Sequence, residues 1–269
     1  MSTASLLADA LEPITSDPAR AAVLLDVDGT LAPIVRHADD AVVPEQTRQL
    51  LIPLSRAYAL VACVSGRRAA DARRMVALGN VTYVGGHGTE LLRAGWTEPH
   101  VDPALEDWTR RVRDFTRDAE RRELRALRVR TEDKGAIVAF HWRGSPDEGA
   151  ARAAVDAVAR QAEEAGLRTH WGRKVLEVRP PVRIDKGAGI QALLADAGLE
   201  AALYAGDDRT DLDAFRGLAE LRDQGLLGRI VRVAVHSEEG PSELAGEADL
   251  EVEGTEGVRA LLEALRPAS

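Results

Sequence analysis

The chain alternates between two hydrophobic rhythms. Apolar runs with little polar interruption, "AAVLLDVDG", "YALVACVSGR", "VTYVGGHG", "AALYAGDD" and "RIVRVAVHS", each end in glycine or polar residues. Runs of this kind read as strands buried on both faces, the mark of a parallel sheet flanked by helices. Between them, "PEQTRQLLIPLSRA", "RRAADARRMVAL", "KGAGIQALLADAG" and "RTDLDAFRGLAEL" carry apolar residues at helical spacing, and Gly79 and Gly198 follow two of these stretches as C-cap candidates. The pattern predicts a doubly wound α/β layout.

Between about residues 102 and 180 the rhythm changes. Leu105, Trp108, Val112 and Phe115 form one stripe of a long helix, after which "LRVRTEDKGAIVAFHWR" reads as two alternating strands joined at "DKG". A second helix, "EGAARAAVDAVARQAEEAG", and a second strand pair, "LRTHWG" with "KVLEVRP", complete the block. The expectation is a smaller α+β cap, residues 102–180, inserted into a parallel-sheet core made of residues 1–101 and 181–269. By strand periodicity Arg128, Arg130, Glu132 and Lys134 share one face, Ile137, Ala139, His141 and Arg143 share a face of the next strand, and Arg173, Val175, Glu177 and Arg179 share a face of the last.

The 269 residues, 45% of them apolar, are enough for a sizeable core. A formal charge of −9 argues against a nucleic-acid or acidic-membrane surface, both of which need a positive footprint, so any phosphate binding must be local. The lone Cys63 lies inside "ALVACVS" and reads as a small buried hydrophobe. The first twenty residues hold no basic and apolar leader pattern, and no run approaches the roughly 18 apolar residues a membrane span needs. A cytoplasmic monomer acting on a small molecule is expected.

In open α/β sheets, ligands sit outside the carboxyl ends of the strands, which here means Asp26, Asp28, Ser65 and Asp207. That many carboxylates in one crevice repel unless a cation offsets them, and Mg²⁺, with its preference for hard oxygen ligands, answers that need. Gly29 allows a tight turn, Thr30 and Ser65 offer hydroxyls to phosphoryl oxygens, and Lys186 opens a helix whose free N–H groups add to its charge. "GAGIQA" at 187–192 fits a dinucleotide-binding glycine pattern, but "PPVRIDK" precedes it where an apolar strand is required.

The order Asp-x-Asp-Gly-Thr, then Ser, Lys and Gly-Asp-Asp, each at an element boundary, resembles the haloacid dehalogenase superfamily of phosphatases. "DVDGTLAPIV", "VSGR", "GGHGTE", "EDKGAIVAFHWR", "GRKVLEVRP" and "GDDRTDLDAF" are similar to segments of its trehalose-6-phosphate phosphatases. Departures from that family's usual residues fall at Ala32, Gly86, Trp142 and Arg173. The resemblance implies a Mg²⁺-dependent phosphatase in which Asp26 is the nucleophile and Asp28 the acid and base. It implies a metal held by Asp26, the Asp28 carbonyl and Asp207, with Asp208 and Asp211 in or just outside the shell, while Lys186 and Ser65 complete the phosphoryl cradle. It assigns Glu132, Lys134 and Glu177 to sugar hydroxyls, and Thr30, Arg67, His87, Glu90, His141 and Arg143 to the substrate cleft. The alternatives are a phosphatase for another sugar phosphate, such as sucrose phosphate, a hexose phosphate or a pseudo-disaccharide phosphate, and a non-catalytic sugar-phosphate binder.

Overall fold

A computed structural model of the chain describes residues 3–35, 40–101, 103–119, 122–237 and 240–267. The chain divides into two compact units, one made of Met1–His100 with Asp185–Ser269 and the other of Val101–Ile184. Before the second unit come α1 (Thr3–Thr15), β1 (Ala21–Asp26), α2 (Glu45–Ala57), β2 (Leu60–Val64), α3 (Ala69–Val76), β3 (Thr82–Gly85) and β4 (Glu90–Leu92), and β5 (His100–Val101) crosses the boundary. The second unit contains α4 (Pro103–Ala119), α5 (Arg122–Ala126), β6 (Arg130–Asp133), β7 (Val138–His141), α6 (Glu148–Glu164), β8 (Arg168–Gly172) and β9 (Val175–Arg179). After it follow α7 (Lys186–Leu194), β10 (Ala201–Gly206), α8 (Asp211–Asp223), β11 (Arg229–His236), α9 (Ser242–Glu247), β12 (Leu250–Glu253) and α10 (Gly254–Ala264).

The large sheet runs β12-β11-β10-β1-β2-β3-β4-β5. Its strands from β12 to β3 are parallel, and β4 turns back antiparallel on β3. Strand order reverses at β1, which pairs with β10 on one side and β2 on the other. The crevice at such a reversal is where α/β sheets bind ligands, so Asp26, Ser65 and Asp207 leave the sheet at the same end. Val23 and Leu25 of β1 pack with Leu11, Ile14, Leu51, Leu54 and Leu261 on one face. Ala22 and Leu24 pack with Ile190, Leu193, Phe215 and Leu218 on the other. Burial on both faces is the physical reason the strand shows no alternation.

The glycines of "GAGIQA" serve helix packing. A Cβ on Gly187 would sit 2.2 Å from the Asp213 carbonyl of α8, one on Gly217 would sit 2.7 Å from the Gly187 Cα, and one on Gly189 would sit 2.5 Å from the Gly88 Cα. Asp185 caps α7 by accepting from the Ala188 N–H at 2.7 Å. The other two expected glycine roles change. Helix α3 is closed by Ala77, at φ 58°, two residues before Gly79; α7 ends at Leu194 with right-handed Ala195, so Gly198, at φ 64°, belongs to the turn beyond.

The second unit holds an antiparallel sheet in the order β6-β7-β9-β8. Val138, Phe140, Leu176 and Val178 pack against Val112, Val155, Val158 and Ala162 of α4 and α6. The opposite face carries Glu132, Ala139, Glu177 and His170 in one row across the four strands. No helix among the described residues is long and apolar enough to cross a membrane.

The α7–α8 contact gives the first expected outcome. Gly187→Ala forces a methyl into backbone that has no rotamer to yield, so it is expected to cost about 1–3 kcal/mol or more of stability. Thermal unfolding measures this, and an unchanged midpoint would mean that the helices separate freely.

Candidate active site

Strand β1 ends at the buried Asp26, and the chain then folds into a tight loop. Leu31 and Ala32 donate to the Val27 carbonyl at 3.0 and 2.8 Å, and Gly29 donates to the Ala32 carbonyl at 2.8 Å. Gly29 has a φ of +86°, and a Cβ there would lie 2.1 Å from Oδ2 of Asp207, so both backbone and space demand glycine. The Thr30 hydroxyl, fully buried, donates to Oδ1 of Asp207 at 3.2 Å. Thr30 thus holds a carboxylate of the site in place.

Lys186 is the hub of this end of the sheet. Its ammonium is buried and donates to Oδ1 of Asp26 and Oδ1 of Asp211, each at 2.6 Å, with Asp208 3.8 Å away. The Tyr204 hydroxyl also donates to Oδ1 of Asp211 at 2.6 Å, and the Asp208 N–H donates to Oδ2 at 2.8 Å. Both Asp211 oxygens are therefore engaged, which makes Asp211 the anchor of the lysine. Tyr204 escaped the sequence reading, although a tyrosine in the fully buried run "AALYAG" must find a partner for its hydroxyl. Asp208 accepts at Oδ1 from the Thr210 N–H at 2.7 Å and the Thr210 hydroxyl at 2.6 Å, turning outward into the loop that starts α8.

The electrostatics follow from burial. Desolvation raises Asp26 well above the usual carboxylate range; Lys186 opposes this, while Asp211 and Asp208 add to it. Asp207 is pushed up to about 7, chiefly by burial and then by the charges of Asp211 and Asp208. Burial by itself would lower Lys186, yet Asp211, Asp26 and Asp208 together hold it well above its ordinary value. For Asp208 burial also acts upward, but Lys186 and the Thr210 and Asp211 hydrogen bonds outweigh it and its net shift is downward. One ammonium thus faces four carboxylates. Asp26, Asp207 and Asp211 each bring an oxygen within 4.8 Å of the others, an all-oxygen donor set with surplus negative charge that fits a small hard divalent cation.

The loop after β2 brings in the next group. The N–H of Arg67 donates to Oγ of Ser65 at 3.1 Å, and the Arg67 side chain makes a forked pair with Asp28. His87, at φ 56°, packs its ring so closely on Gly66 that a Cβ there would lie 2.6 Å from Cε1. Glu90 is buried, and its oxygens accept from Arg68 Nε at 3.0 Å and from the Ala69 N–H at 2.8 Å, so it braces the start of α3.

Within the second unit, Glu177 accepts from Lys134 at 3.1 Å and from Arg179 Nε at 3.1 Å. Glu132 pairs with His141 Nε2 at 2.7 Å, and that hydrogen bond leads the effects that lower the Glu132 carboxyl below its usual range. Arg143 departs from expectation: β7 stops at His141, and Arg143 is exposed in the turn that follows, where its charge acts on Glu148. Arg179 and His170 join this polar face without having been singled out as site residues.

Asp207 gives a pH test. Its carboxyl, at about 7 in the folded chain against about 4 unfolded, binds its proton more tightly when folded. The metal-free protein is expected to lose stability as pH rises from about 4 through 7, and Asp207→Asn to remove that part of the loss. Unfolding midpoints in chelator across that window check this; parallel curves for the two proteins would contradict it.

Comparison with known proteins fits this arrangement. A family model described as trehalose-phosphatase matches residues 24–252. A probable trehalose-phosphate phosphatase of Arabidopsis thaliana is 30% identical over 246 residues, covering 82% of this chain and 64% of the relative. A trehalose 6-phosphate phosphatase of Zea mays is 31% identical over 217 residues, covering 74% and 59%. The chain therefore spans somewhat less than two thirds of these relatives. Among solved structures, the C-terminal domain of C. albicans trehalose-6-phosphate phosphatase superposes with a TM-score of 0.72 at 21% identity, covering 98% of this chain and 97% of that one. A haloacid dehalogenase-like hydrolase from Bacteroides thetaiotaomicron does so with a TM-score of 0.60 at 16% identity, covering 90% and 98%. These two likenesses establish the haloacid dehalogenase-like fold. On the match from residue 24 to residue 252, the chain belongs to the trehalose-phosphatase family.

Proposed function

We propose that this chain hydrolyses trehalose 6-phosphate to trehalose and inorganic phosphate through an aspartyl-phosphate on Asp26. The observation that carries the reading is the buried Lys186 ammonium bonded to both Asp26 and Asp211 at the sheet's switch point. A lysine so placed leaves one oxygen of Asp26 for attack and offers positive charge beside the phosphoryl oxygens.

In the first step that oxygen attacks phosphorus, the bond from phosphorus to the sugar oxygen breaks, and Asp28 gives its proton to the departing sugar. In the second, water attacks phosphorus, Asp28 takes a proton from it, and Asp26 is released as phosphate leaves. A sugar alkoxide is a poor leaving group, so the acid matters most in the first step. Asp26, the Asp28 carbonyl and Asp207 would hold Mg²⁺, which when bound supplies charge neutralisation of the phosphoryl group. Asp211, with an oxygen within 4.8 Å of those of Asp26 and Asp207, and Asp208, whose Oδ1 accepts from the Thr210 hydroxyl, would lie in or just outside that shell. Ser65 offers a hydroxyl hydrogen to a phosphoryl oxygen, and Glu132, Lys134 and Glu177 of the second unit read sugar hydroxyls.

Three outcomes test this. Asp26→Asn is expected to lower turnover about 1000-fold or more while the protein stays folded; appreciable steady-state activity would remove Asp26 as nucleophile. Chelation is expected to abolish phosphate release and added Mg²⁺ to restore it, with full activity after chelation as the contrary result. Glu177→Ala is expected to cut kcat/KM for trehalose 6-phosphate roughly 10-fold to 1000-fold and leave p-nitrophenyl phosphate nearly unchanged. Parallel losses would make Glu177 a support of the fold, and no loss on either would remove Glu177 from sugar recognition.

A further inference from the structure

Arg67 holds both oxygens of Asp28: Nε donates to Oδ2 at 2.8 Å and Nη2 to Oδ1 at 2.7 Å. Such a fork sets the plane of the carboxylate as well as its distance, which a lysine cannot do. The base from which the fork reaches is itself fixed. The Arg67 N–H is tied to Oγ of Ser65 and its carbonyl accepts from the Gly86 N–H at 2.7 Å. The next two residues are gripped by the buried Glu90 through Arg68 Nε and the Ala69 N–H. On the other side, the loop bearing Asp28 is closed by three backbone hydrogen bonds around Val27 and Ala32. Two braced loops thus meet in one pair of hydrogen bonds, with the arginine side chain 24% and the aspartate 40% exposed. A pair built only for stability at that exposure contributes little.

We propose that Arg67 is a positioning residue for proton transfer at Asp28, setting the direction in which its carboxyl faces the departing sugar oxygen. This rests on the reading of Asp28 as acid and base. The forked pair is the ionised form of Asp28. When one oxygen carries the proton, the other, still an acceptor, stays on the guanidinium and keeps the carboxyl oriented; when the proton passes to the sugar oxygen, both bonds re-form. The water proton taken in the second step reverses that exchange, so protons balance over the cycle. The buried Glu90 gains a purpose as well, since it steadies the base of the fork.

The test uses the leaving group. Arg67→Lys keeps the charge and loses the fork, and Arg67→Met loses both with similar length. Each is measured with trehalose 6-phosphate and with p-nitrophenyl phosphate, whose phenolate departs without an acid, as the rate at which trehalose or nitrophenolate is released in the first turnover, before Asp28 acts as base; thermal unfolding confirms folding. Arg67→Lys is expected to lower that first-step rate on the sugar phosphate roughly 10-fold to 100-fold, the scale set by small misplacements of a reacting group, and to change it on the aryl phosphate less than about 3-fold. In an Asp28→Asn background, Arg67→Lys is expected to add no further loss. Equal losses on both substrates would overturn the proposal by making Arg67 a phosphate or structural residue. No loss on either, or an additive loss in the Asp28→Asn background, would also overturn it. If Asp28→Asn itself fails to discriminate between the leaving groups, the acid assignment falls and this proposal with it. Discrimination in Asp28→Asn without it in Arg67→Lys counts against Arg67 alone.

Discussion

A buried ammonium between two buried carboxylates is the constraint on which the first unit depends. Lys186 has no access to water that could satisfy its three hydrogens, and Asp26 and Asp211 have none that could disperse their charge. Each is tolerable only because the others are there, and removing one would leave uncompensated charge in a low-dielectric interior. Tyr204 and the Asp208 N–H complete the coordination of Asp211, so the lysine is pulled toward a fixed point and Asp26 is held by the lysine. The position of the β1 carboxylate is thereby determined by a helix that begins 160 residues later.

The glycines are where the backbone yields to that constraint. For Lys186 to reach Asp26, α7 must lie against α8 more closely than any side chain permits, and Gly187 and Gly217 supply the space. For Asp207 to sit beside the β1 loop, Gly29 must lack a Cβ and take a positive φ, and Gly206 must leave room for the Asp211 carboxyl. The surplus negative charge that results is what makes an oxygen-ligated cation chemically consistent with the site.

The strands at the centre of the sheet were legible because burial on both faces writes itself as an uninterrupted apolar run, as in "AAVLLDVDG" and "AALYAGDD". The helices α2, α3, α7 and α8 were legible from their spacing, and the strand pairs of the second unit from their alternation. Less visible are α1 and α10, which lie outside the alternation of apolar runs and helical stretches, and the short strands β4, β5 and β12, whose few residues carry no distinctive period. The site was legible as a set of polar residues ending apolar runs, but its pairings were not. Arg67 and Asp28 are 39 residues apart, Lys186 and Asp211 25 apart, and Glu90 meets Ala69 across 21. Local patterning carries no information at such separations, which is why the bonds of Glu90 to Arg68 and Ala69 and of Thr30 to Asp207 emerge only in the folded chain. Arg143 was misplaced for a simpler reason: strand alternation was extended two residues beyond the end of β7.

On the proposed function, the first unit would hold the phosphoryl chemistry and the polar sheet face of the second the residues that read the sugar. That reading turns on a covalent bond from the Asp26 carboxylate, held by Lys186, to phosphorus. The most direct measurement is acid quenching during the turnover of trehalose 6-phosphate with Mg²⁺, followed by peptide mass spectrometry. The expected result is a peptide containing Asp26 that is heavier by one phosphoryl group and that disappears as substrate is exhausted. A phosphoryl group found on another residue, or rapid turnover with no modified peptide at any quench time, would contradict it.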